Sequence, residues 1–414
     1  MRIAIIGGGA AGMMCAATLA EECPDVEVLL FEKNSSLGKK VIISGGGRCN
    51  VTTGFDDIRF ILKKYPRGEK FLSSAMFRFP PQAVRNWFEQ HGVPLVCEDD
   101  MRVFPVSSDG KDIVRAFTSL FAASNVQILC NHSVKKIEKH DEQFFITVPN
   151  KEPFVVDTVV LTLGGQAYRQ TGSTGDGYTL AERLGHSITP LAASLNSFFT
   201  RETWPKELAG VSFEQATLSS FGKTRASYTG PILFTHKGVT GPAVFALSSL
   251  VAFDVYTGSQ PLPITVNVVP QYSVEELYEA IQKTMHASPK KSFKNTLHSV
   301  VPLSVATICC NELTIPLEKK NAEMTKKEVT AACTWIQAMP LSVIARGAGD
   351  EFVTAGGVSL DEVNPKTMES LISPGLFFAG EILNIDGFTG GFNLQASWAT
   401  GRAAGESIAM AMSF

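Results

Sequence analysis

Two glycine-rich segments lie at opposite ends of this 414-residue chain, and they constrain its fold more than any other feature. The first is residues 3–12, IAIIGGGAAG, and the second is residues 376–396, LFFAGEILNIDGFTGGFNLQA. Each pattern predicts a buried strand, then a turn whose backbone approaches something closely, then a helix. Two such turns bracketing the chain predict one long dinucleotide bound by residues distant in sequence. We expect that dinucleotide to be FAD.

The N-terminal segment predicts a complete βαβ unit, which is the context that makes its glycines informative. A β-branched run covers residues 2–6, and a helix-favouring run rich in Ala, Met and Leu covers residues 11–22. The next predicted strand covers residues 26–31 and ends at Glu32. The chain therefore is expected to begin with a parallel sheet of the Rossmann type.

Four residues of this unit are candidate ligands of an adenosine diphosphate group. Gly7 would allow the tight turn, Gly9 would let the backbone reach a pyrophosphate, and Gly12 would let the helix pack closely on the strand. The N–H groups at the start of the helix would favour phosphate. Glu32 would accept hydrogen bonds from ribose hydroxyls and disfavour a 2′-phosphate, so we do not expect NADP in this site. The alternative is a tight turn without a ligand.

Two further segments predict cofactor contacts. Residues 37–50, LGKKVIISGGGRCN, combine three consecutive glycines with basic side chains, so this loop could follow the pyrophosphate and pass under a flavin ring. Residues 157–168, DTVVLTLGGQAY, predict a strand that returns to the sheet and ends at Gly164 and Gly165. For the first of these segments, a flexible surface loop remains the alternative.

The C-terminal segment carries the strongest chemical argument. Its predicted strand ends at Gly380 and Glu381, where a carboxylate could bind ribityl hydroxyls. Gly390 and Gly391 then precede a predicted helix. A helix N-terminus directed at N1 and the C2 carbonyl of a reduced flavin would stabilise its negative charge and raise its reduction potential. The alternative is an ordinary C-terminal helix packed on the sheet.

The middle of the chain has a different character. Residues 126–137 and 143–148 alternate apolar and polar side chains and predict an antiparallel hairpin. Residues 191–270 predict an antiparallel β module, and residues 271–338 predict helices with two capping boxes. We therefore expect an α/β fold in which an inserted domain interrupts the FAD-binding domain. The predicted boundaries are a first FAD-binding part at 1–190, an insert at 191–354 that is β-rich at 191–270 and 339–354 and helical at 271–338, and a last FAD-binding part at 355–414.

Composition argues against several classes of function. The net charge of −3 gives no electrostatic reason to expect a nucleic-acid partner, and no apolar run is long enough to span a bilayer. The eight cysteines show neither a CxxC pair nor zinc spacing, so we expect reduced thiols, no metal site and a cytoplasmic location. The apolar N-terminus is similar to a signal peptide, but its three closely spaced glycines favour a buried strand and helix.

The successive motifs GGGAAG, SGGGRCN, GSTGDGY, FTHKGVTGP, TAGGV and GEILNIDGFTGGFNLQ resemble those of the YhiN/BaiN-like flavoproteins. That family includes aminoacetone-oxidase-type enzymes and is distantly similar to fumarate reductase flavoproteins. The resemblance spans nearly the whole chain. It implies an FAD-dependent oxidoreductase with a glutathione reductase-type FAD domain, an inserted barrel-like domain and a small helical domain. One departure is Asn384, where the family pattern implies an acidic residue.

The resemblance also implies which residues bind FAD. Some match the adenosine end, others match the loop under the flavin, and the rest match contacts near the C-terminal segment. The complete set of predicted cofactor-binding residues, from the motifs and the resemblance together, is Gly7, Gly9, Ala11, Gly12, Glu32, Lys33, Lys40, Ser44, Gly46, Arg48, Cys49, Asn50, Val134, Gly164, Gly165, Gly380, Glu381, Gly391, Asn393 and Leu394.

Three residues are candidates for catalysis. His236 and Lys237 lie between a β run and a Gly/Pro turn, from which they could reach a flavin, and a histidine can exchange a proton near neutral pH. A loop histidine bonded to backbone is the somewhat favoured alternative. Arg48 could orient an anionic or carbonyl substrate, although FAD binding is the preferred interpretation. Cys49 has no neighbouring cysteine, so a disulfide-reductase mechanism is not expected.

The expected reaction is hydride transfer between flavin N5 and a small organic substrate, namely a carbonyl, an enone or an amine. NAD(P)H or O2 would be the other redox partner. Because no second GxGxxG motif occurs in a βαβ context, we expect NAD(P)H to act only as a transient electron donor. The alternative is a non-catalytic flavin-binding sensor or scaffold. An RNA-modifying enzyme is disfavoured by the balanced charge, and the sequence leaves the oligomeric state open.

Overall fold

A computed structural model describes residues 1–347 and 352–412. The chain forms two compact units. The first combines Met1–Ala193 with Glu351–Phe414, and the second is Ser194–Asp350. The first unit is therefore built from both ends of the sequence.

The first unit contains a five-stranded parallel sheet. Four of its five strands are almost continuously buried, as is typical of a parallel sheet covered on both faces. The sheet order is β19-β10-β1-β2-β6, with β1 (Arg2–Ile6), β2 (Glu27–Phe31), β6 (Val126–Leu129), β10 (Thr158–Leu161) and β19 (Leu376–Phe378). The predicted N-terminal strand and the predicted Rossmann-type sheet are thus confirmed.

Eight α-helices of the described chain belong to this unit. They are α1 (Ala10–Glu22), α2 (Lys39–Ile43), α3 (Ile58–Leu62), α4 (Glu69–Arg78), α5 (Pro81–Gln90), α6 (Gly110–Ala122), α7 (Asp176–Arg183) and α13 (Phe392–Met412). Helices α1 and α13 pack closely because small residues face each other. A Cβ atom at Gly401 would lie 2.4 Å from the carbonyl oxygen of Ala11, and one at Gly405 would lie 2.7 Å from Cβ of Thr18.

Two small antiparallel sheets complete the first unit. One has the order β3-β5-β4, and the other has the order β7-β8-β9. Their strands are β3 (Thr52–Thr53), β4 (Leu95–Cys97), β5 (Arg102–Pro105), β7 (Lys136–His140), β8 (Gln143–Thr147) and β9 (Phe154–Val156). The chain leaves this unit after β11 (Ala192–Ser194) and re-enters it before β18 (Val353–Ala355).

The hairpin predicted from residues 126–137 and 143–148 is wrong in its first half. Strand β6 pairs parallel with β2, and only residues 136–140 pair with 143–147 in antiparallel fashion. Helix α6 precedes β6 and supplies the crossover that a parallel strand needs. Strand β6 lies at the edge of the sheet, where Gln127 and Ile128 are both exposed.

The second unit contains a closed antiparallel barrel, which confirms the barrel-like fold implied by the resemblance. Closure leaves no unpaired strand edge. Its order is β12-β15-β14-β13-β16-β17, with β12 (Phe198–Thr200), β13 (Ser212–Phe221), β14 (Arg225–Thr235), β15 (Gly238–Thr240), β16 (Leu262–Asn267) and β17 (Met339–Arg346).

The helices of the second unit are α8 (Pro242–Leu250), α9 (Val274–Ala287), α10 (Phe293–Leu297), α11 (Leu303–Glu312) and α12 (Lys326–Gln337). Both predicted capping boxes are present, at Ser273 before α9 and at Thr325 before α12. Helix α8 was not predicted, although Pro242 stands at its first position, where the missing N–H costs nothing. Over the part of the chain that the structure describes, no helix combines the length and apolar character required to cross a membrane.

Candidate functional site

The predicted cofactor residues of the first unit converge at one edge of the parallel sheet. Because the strands are parallel, their carboxyl ends meet there, and each is followed by a predicted site residue. Gly7 follows β1, Glu32 follows β2, Gly164 comes shortly after β10, and Gly380 follows β19 closely. Edges of this kind are the usual ligand sites of open α/β sheets.

Two glycines of the first turn are required by packing. Gly7 has a φ of +116°, and a Cβ atom there would lie 2.6 Å from the carbonyl oxygen of Thr162. A Cβ atom at Gly12 would lie 2.0 Å from the carbonyl oxygen of Gly7. The predicted roles in a tight turn and in close helix–strand packing agree with these contacts.

Gly9 is different, because a Cβ atom there would meet no atom of the protein within 4 Å. Gly9 is the N-cap of α1 and has an extended backbone with φ −85° that any residue could adopt. Neither packing nor backbone conformation therefore accounts for glycine at this position. The open space lies in front of the N–H groups of α1, which attract phosphate, so the turn fits a pyrophosphate.

The Glu32 carboxylate is fixed beside this turn. Its side chain is largely buried, and Oε2 accepts a hydrogen bond from the backbone N–H of Gly8 at 3.0 Å. Oε1 accepts from the backbone N–H and the side-chain amide of Asn34, both at 2.7 Å. A carboxylate has about four acceptor positions, so three are used and one is left for a ribose hydroxyl.

Lys33 is engaged within the protein. Its Nζ donates hydrogen bonds to Thr174 Oγ1 at 2.7 Å and to Asp176 Oδ2 at 2.8 Å. Partial burial raises the pKa of Asp176, but the hydrogen bonds from Lys33 and Thr174 outweigh it and hold this pKa below its ordinary value. Lys33 thus attaches the STGDGY turn to the end of β2, and its contact with a cofactor stays a prediction.

Lys40 and Glu381 join the second predicted loop to the end of β19. Lys40 Nζ lies 2.5 Å from Glu381 Oε2, and the backbone N–H of Thr354 donates to Glu381 Oε1 at 3.0 Å. A Cβ atom at Gly165 would lie 3.1 Å from Oε1 of the same carboxylate. The same Cβ atom would lie 2.5 Å from Oγ1 of Thr354, so glycine at 165 lets the chain pass directly against Thr354 and close to Glu381. The arrangement brings three predicted cofactor residues together.

The SGGGRCN segment forms a tight left-handed loop. Gly45, Gly46 and Gly47 all have positive φ, and Cβ atoms at Gly46 and Gly47 would meet no protein atom within 4 Å. Cys49 also has positive φ, at +61°, and its N–H donates to the carbonyl oxygen of Ser44 at 2.9 Å. Burial raises the pKa of the Cys49 thiol to about 12, so it stays protonated at neutral pH.

Arg48 is held on the surface of this loop. Its guanidinium lies 3.8 Å above the centre of the Phe104 ring and pairs with the Glu98 carboxylate. The side-chain oxygen of Asn50 accepts a hydrogen bond from the backbone N–H of Val103 at 3.2 Å. Both residues therefore attach the loop to the small β3-β5-β4 sheet, while Arg48 keeps part of its surface exposed.

The start of α13 is shaped by backbone contacts. Gly391 has a φ of +88°, and a Cβ atom there would lie 2.2 Å from the carbonyl oxygen of Thr52. The side-chain oxygen of Asn393 accepts a hydrogen bond from the N–H of Gly387 at 2.8 Å. Its side-chain amide donates to the carbonyl oxygen of Gly387, also at 2.8 Å. Leu394 is half-buried in the first turn of the helix.

Gly380 and Ala11 lie where β19 meets the helices. A Cβ atom at Gly380 would approach Ala11 Cβ to 2.8 Å, and the N–H of Gly380 donates to Thr400 Oγ1 at 2.9 Å. Val134 is buried in the segment that joins β6 to β7. The packing of these residues accounts for their small or apolar side chains, and their contact with a cofactor stays a prediction.

A buried ion pair near this edge was missed by the sequence analysis. Asp386 is 1% exposed, and its two carboxylate oxygens accept hydrogen bonds from Arg67. Tyr65 donates its hydroxyl to the carbonyl oxygen of Phe392 at 2.6 Å. Together they fix the segment that leads into α13. The available signal was an aspartate between Ile385 and Gly387 in the run EILNIDGF.

Asn384, the departure from the family pattern, lies in the same run. Its Oδ1 atom is buried, and no donor of the described chain reaches it. The backbone N–H of Asn384 donates to the carbonyl oxygen of Val358 at 3.0 Å.

His236 and Lys237 belong to the second unit. Both are exposed at the turn between β14 and β15, where Lys237 Nζ lies 5.2 Å from the centre of the Phe199 ring. Neither residue shares a unit with the sheet edge described above. Their catalytic role stays a prediction.

The fold and this sheet edge define a class: a Rossmann-type flavoprotein of the oxidoreductase kind. The chain belongs to the HI0933-like family, since the family model described as "HI0933-like protein Rossmann domain" matches residues 1–407. This confirms the resemblance drawn from the sequence motifs.

Two relatives are similar to this chain over nearly its whole length. The 3-dehydro-bile acid delta(4,6)-reductase of Clostridium scindens is 27% identical over 412 residues, which cover 99% of each chain. The ribosomal RNA dihydrouridine synthase of Haemophilus influenzae is 29% identical over 411 residues, which cover 98% of this chain and 97% of that one.

Solved structures share the fold at low identity. The fumarate reductase subunit FrdA of E. coli has a TM-score of 0.51 at 15% identity, covering 100% of this chain and 71% of that one. The 3-ketosteroid delta1-dehydrogenase of Sterolibacterium denitrificans has a TM-score of 0.52 at 12% identity, covering 99% of both chains. These likenesses establish the architecture alone.

Proposed function

We propose that this chain is an FAD-dependent reductase whose substrate carries a carbon–carbon double bond conjugated with a carbonyl group. The assignment of FAD rests on the open space at Gly9, where α1 begins. The carboxylate of Glu32 is fixed close to this turn by its hydrogen bond from Gly8. No packing contact requires glycine there, whereas an approaching pyrophosphate does.

The residues at the sheet edge suggest how FAD would be held. Gly9 and Glu32 would bind the adenosine diphosphate half. The partly exposed ion pair of Lys40 with Glu381 would offer ribityl hydroxyls both a donor and an acceptor. The turn at Gly391 would present the N-terminus of α13 to the flavin ring. A bound flavin supplies hydride transfer at N5.

The names of the relatives favour an enone among the substrates that the sequence left open. A 3-dehydro-bile acid delta(4,6)-reductase, by its name, reduces double bonds conjugated with a 3-oxo group. A dihydrouridine synthase, by its name, saturates the double bond of a uracil ring next to a carbonyl. Both reactions add a hydride to one carbon and a proton to its neighbour. The proton requires an acid or water, and exposed His236 is the candidate acid in the second unit.

NADH or NADPH would be the transient electron donor. Because the sequence has no second GxGxxG motif in a βαβ context, a nicotinamide would meet the flavin without a permanent site of its own. An amine oxidase that uses O2, and a flavin-binding protein without catalytic activity, are the competing functions.

A second candidate substrate is uridine within RNA, because two of the relatives are named ribosomal RNA dihydrouridine synthases. The expectation that nucleic acid is not a partner rested on the charge of the whole chain. The chemistry at the double bond would be the same for a steroid enone and for uracil, so the reaction class does not depend on this choice.

The test is anaerobic mixing of the flavin-loaded protein with candidate electron donors. We expect NADH or NADPH to bleach the flavin absorbance and an amine such as aminoacetone to leave it unchanged. Bleaching by the amine alone would replace the reductase with an oxidase. Bleaching by none of these donors would favour the non-catalytic alternative, and failure to retain or rebind FAD would overturn the proposal.

A further inference from the structure

The helical part of the second unit carries a concentration of lysines that the whole-chain charge conceals. Residues 289–327 contain seven lysines, three glutamates, and neither arginine nor aspartate, in a chain of net charge −3. Because positive charge gathers in this one stretch, the rest of the chain is more acidic than the average suggests. The expectation of no nucleic-acid partner came from that average.

The fold brings these lysines together from separate segments. Ser292 pairs with Lys320 in an antiparallel bridge, and the N–H of Asn321 donates to the carbonyl oxygen of Lys291 at 3.0 Å. The two extended segments that carry Lys290, Lys291 and Lys320 are therefore direct neighbours. Lys319, in the second segment, extends to the first turn of α12, where its Nζ lies 2.6 Å from Glu328 Oε1.

The backbone of this arrangement is rigidly supported. The side chain of Asn321 is buried, and its amide donates to the carbonyl oxygen of Ser288 at 2.7 Å. Its Oδ1 accepts from the hydroxyl of Thr296 at 3.0 Å. Asn321 thus joins the second extended segment to the first and to α10, so the lysines stand on a fixed frame.

We define the lysine cluster as Lys290, Lys291, Lys320, Lys326 and Lys327. All five side chains are exposed. In the described parts of the chain, none of the five has a carboxylate within ion-pair distance, whereas Lys319 is neutralised by Glu328. Their charge is therefore available to an external anion.

An apolar groove adjoins the cluster. It has a volume of about 810 Å³, and its wall is formed by α12, with Lys326 and Lys327 at its start and Trp335 deeper along the helix. Leu313, Ala331 and Pro340 add further apolar surface. The lysines could bind phosphates, and the adjoining open groove offers apolar surface to the bases beside them.

We propose that the lysine cluster and this groove form a docking surface for single-stranded RNA. This inference rests on the proposed function, because RNA would be the macromolecule that carries the uracil base to be reduced. Two features favour RNA over an anionic membrane. The aromatic side chain of the groove, Trp335, is only 8% exposed, whereas a membrane-binding surface needs apolar side chains that protrude. Two relatives also carry names that specify ribosomal RNA.

The test compares two charge-matched double variants by fluorescence anisotropy. Lys326→Gln/Lys327→Gln removes two charges from the cluster, and the control Lys111→Gln/Lys151→Gln removes two charges from exposed lysines of the first unit. The probe is a labelled, uridine-rich single-stranded RNA, titrated between about 50 mM and 200 mM salt. Each phosphate contact to a single strand contributes a slope of about −0.7 in log K against log[salt].

We expect the cluster variant to bind RNA about 25-fold more weakly at about 0.1 M salt, with a salt slope shallower by about 1.4. The control variant should bind like the unmodified protein. Equal binding by both variants, or no RNA binding by the unmodified protein, would overturn the proposal. Capture by phosphatidylserine vesicles through the same lysines, without RNA binding, would assign the surface to a membrane instead.

A parallel measurement separates this inference from the proposed function. Bleaching of the flavin by NADH or NADPH should be the same in the cluster variant and in the unmodified protein. If no nicotinamide reduces the flavin while RNA binding keeps its lysine and salt dependence, the reductase proposal fails and the docking surface stands.

Discussion

Gly9→Ala is the substitution that best separates a cofactor turn from a merely structural one. The added Cβ atom meets nothing within 4 Å, and the backbone at φ −85° suits alanine. Alanine is a weaker N-cap than glycine by about 0.5–1 kcal/mol, whereas its smaller unfolded-state entropy stabilises the fold by about 0.4–1 kcal/mol. These effects oppose each other, so the FAD-free protein should change in stability by less than about 1 kcal/mol.

FAD binding should respond very differently to the same methyl group. If a pyrophosphate occupies the space in front of α1, the methyl must displace it, and forced overpacking typically costs about 1–3 kcal/mol. That cost corresponds to a dissociation constant raised by about 5- to 150-fold. Urea unfolding of the FAD-free protein and titration with FAD by flavin fluorescence measure the two quantities separately.

Gly12→Ala is the matched control. Its Cβ atom would lie 2.0 Å from a backbone oxygen, so it should destabilise the FAD-free protein by about 3 kcal/mol. An unchanged FAD affinity in Gly9→Ala, with the fold intact, would refute the assignment of this turn to the pyrophosphate.

Three further predictions concern other parts of the chain. Arg67→Met removes the guanidinium that pairs with the buried carboxylate of Asp386 and should lower the free energy of unfolding by about 3–5 kcal/mol in urea titrations. Glu328 has its pKa lowered to about 2 by hydrogen bonds from a lysine and the N-cap threonine, so it stabilises the fold above its ordinary pKa and loses this effect as pH falls towards 2. Glu328→Gln should therefore lose less stability than the unmodified protein when unfolding is compared from about pH 5 down to pH 2. Exposed Cys97 should react with a thiol reagent at about pH 8 long before Cys49, whose buried thiol has a raised pKa, and equal rates in the native protein would contradict the structure.

The parts of the fold that were predictable from sequence depend on local patterns. Strand β1, helix α1 and Glu32 lie within one short stretch, where strand periodicity, the glycine spacing and the acidic end of β2 agree. The capping boxes before α9 and α12 are equally local, since each is completed within four residues.

What could not be predicted depends on pairs distant in sequence. Lys40 and Glu381 are 341 positions apart, and Arg67 and Asp386 are 319 apart, so no local pattern joins them. The alternation of apolar and polar residues in β6 was ambiguous, because this local pattern does not specify whether the partner strand is parallel or antiparallel. The lysine cluster was missed because its members meet only after two extended segments pair.

Oxidation of the reduced flavin by an enone is the direct test of whether this chain reduces a double bond conjugated with a carbonyl group. The flavin-loaded protein is first bleached under anaerobic conditions with one equivalent of dithionite, and a 3-oxo-Δ4 steroid or a uridine-containing RNA is then added. The account predicts that the oxidised flavin absorbance returns with one of these substrates and that the saturated product forms in equal amount. Return of the absorbance only when O2 is admitted, with neither substrate reduced, would contradict it.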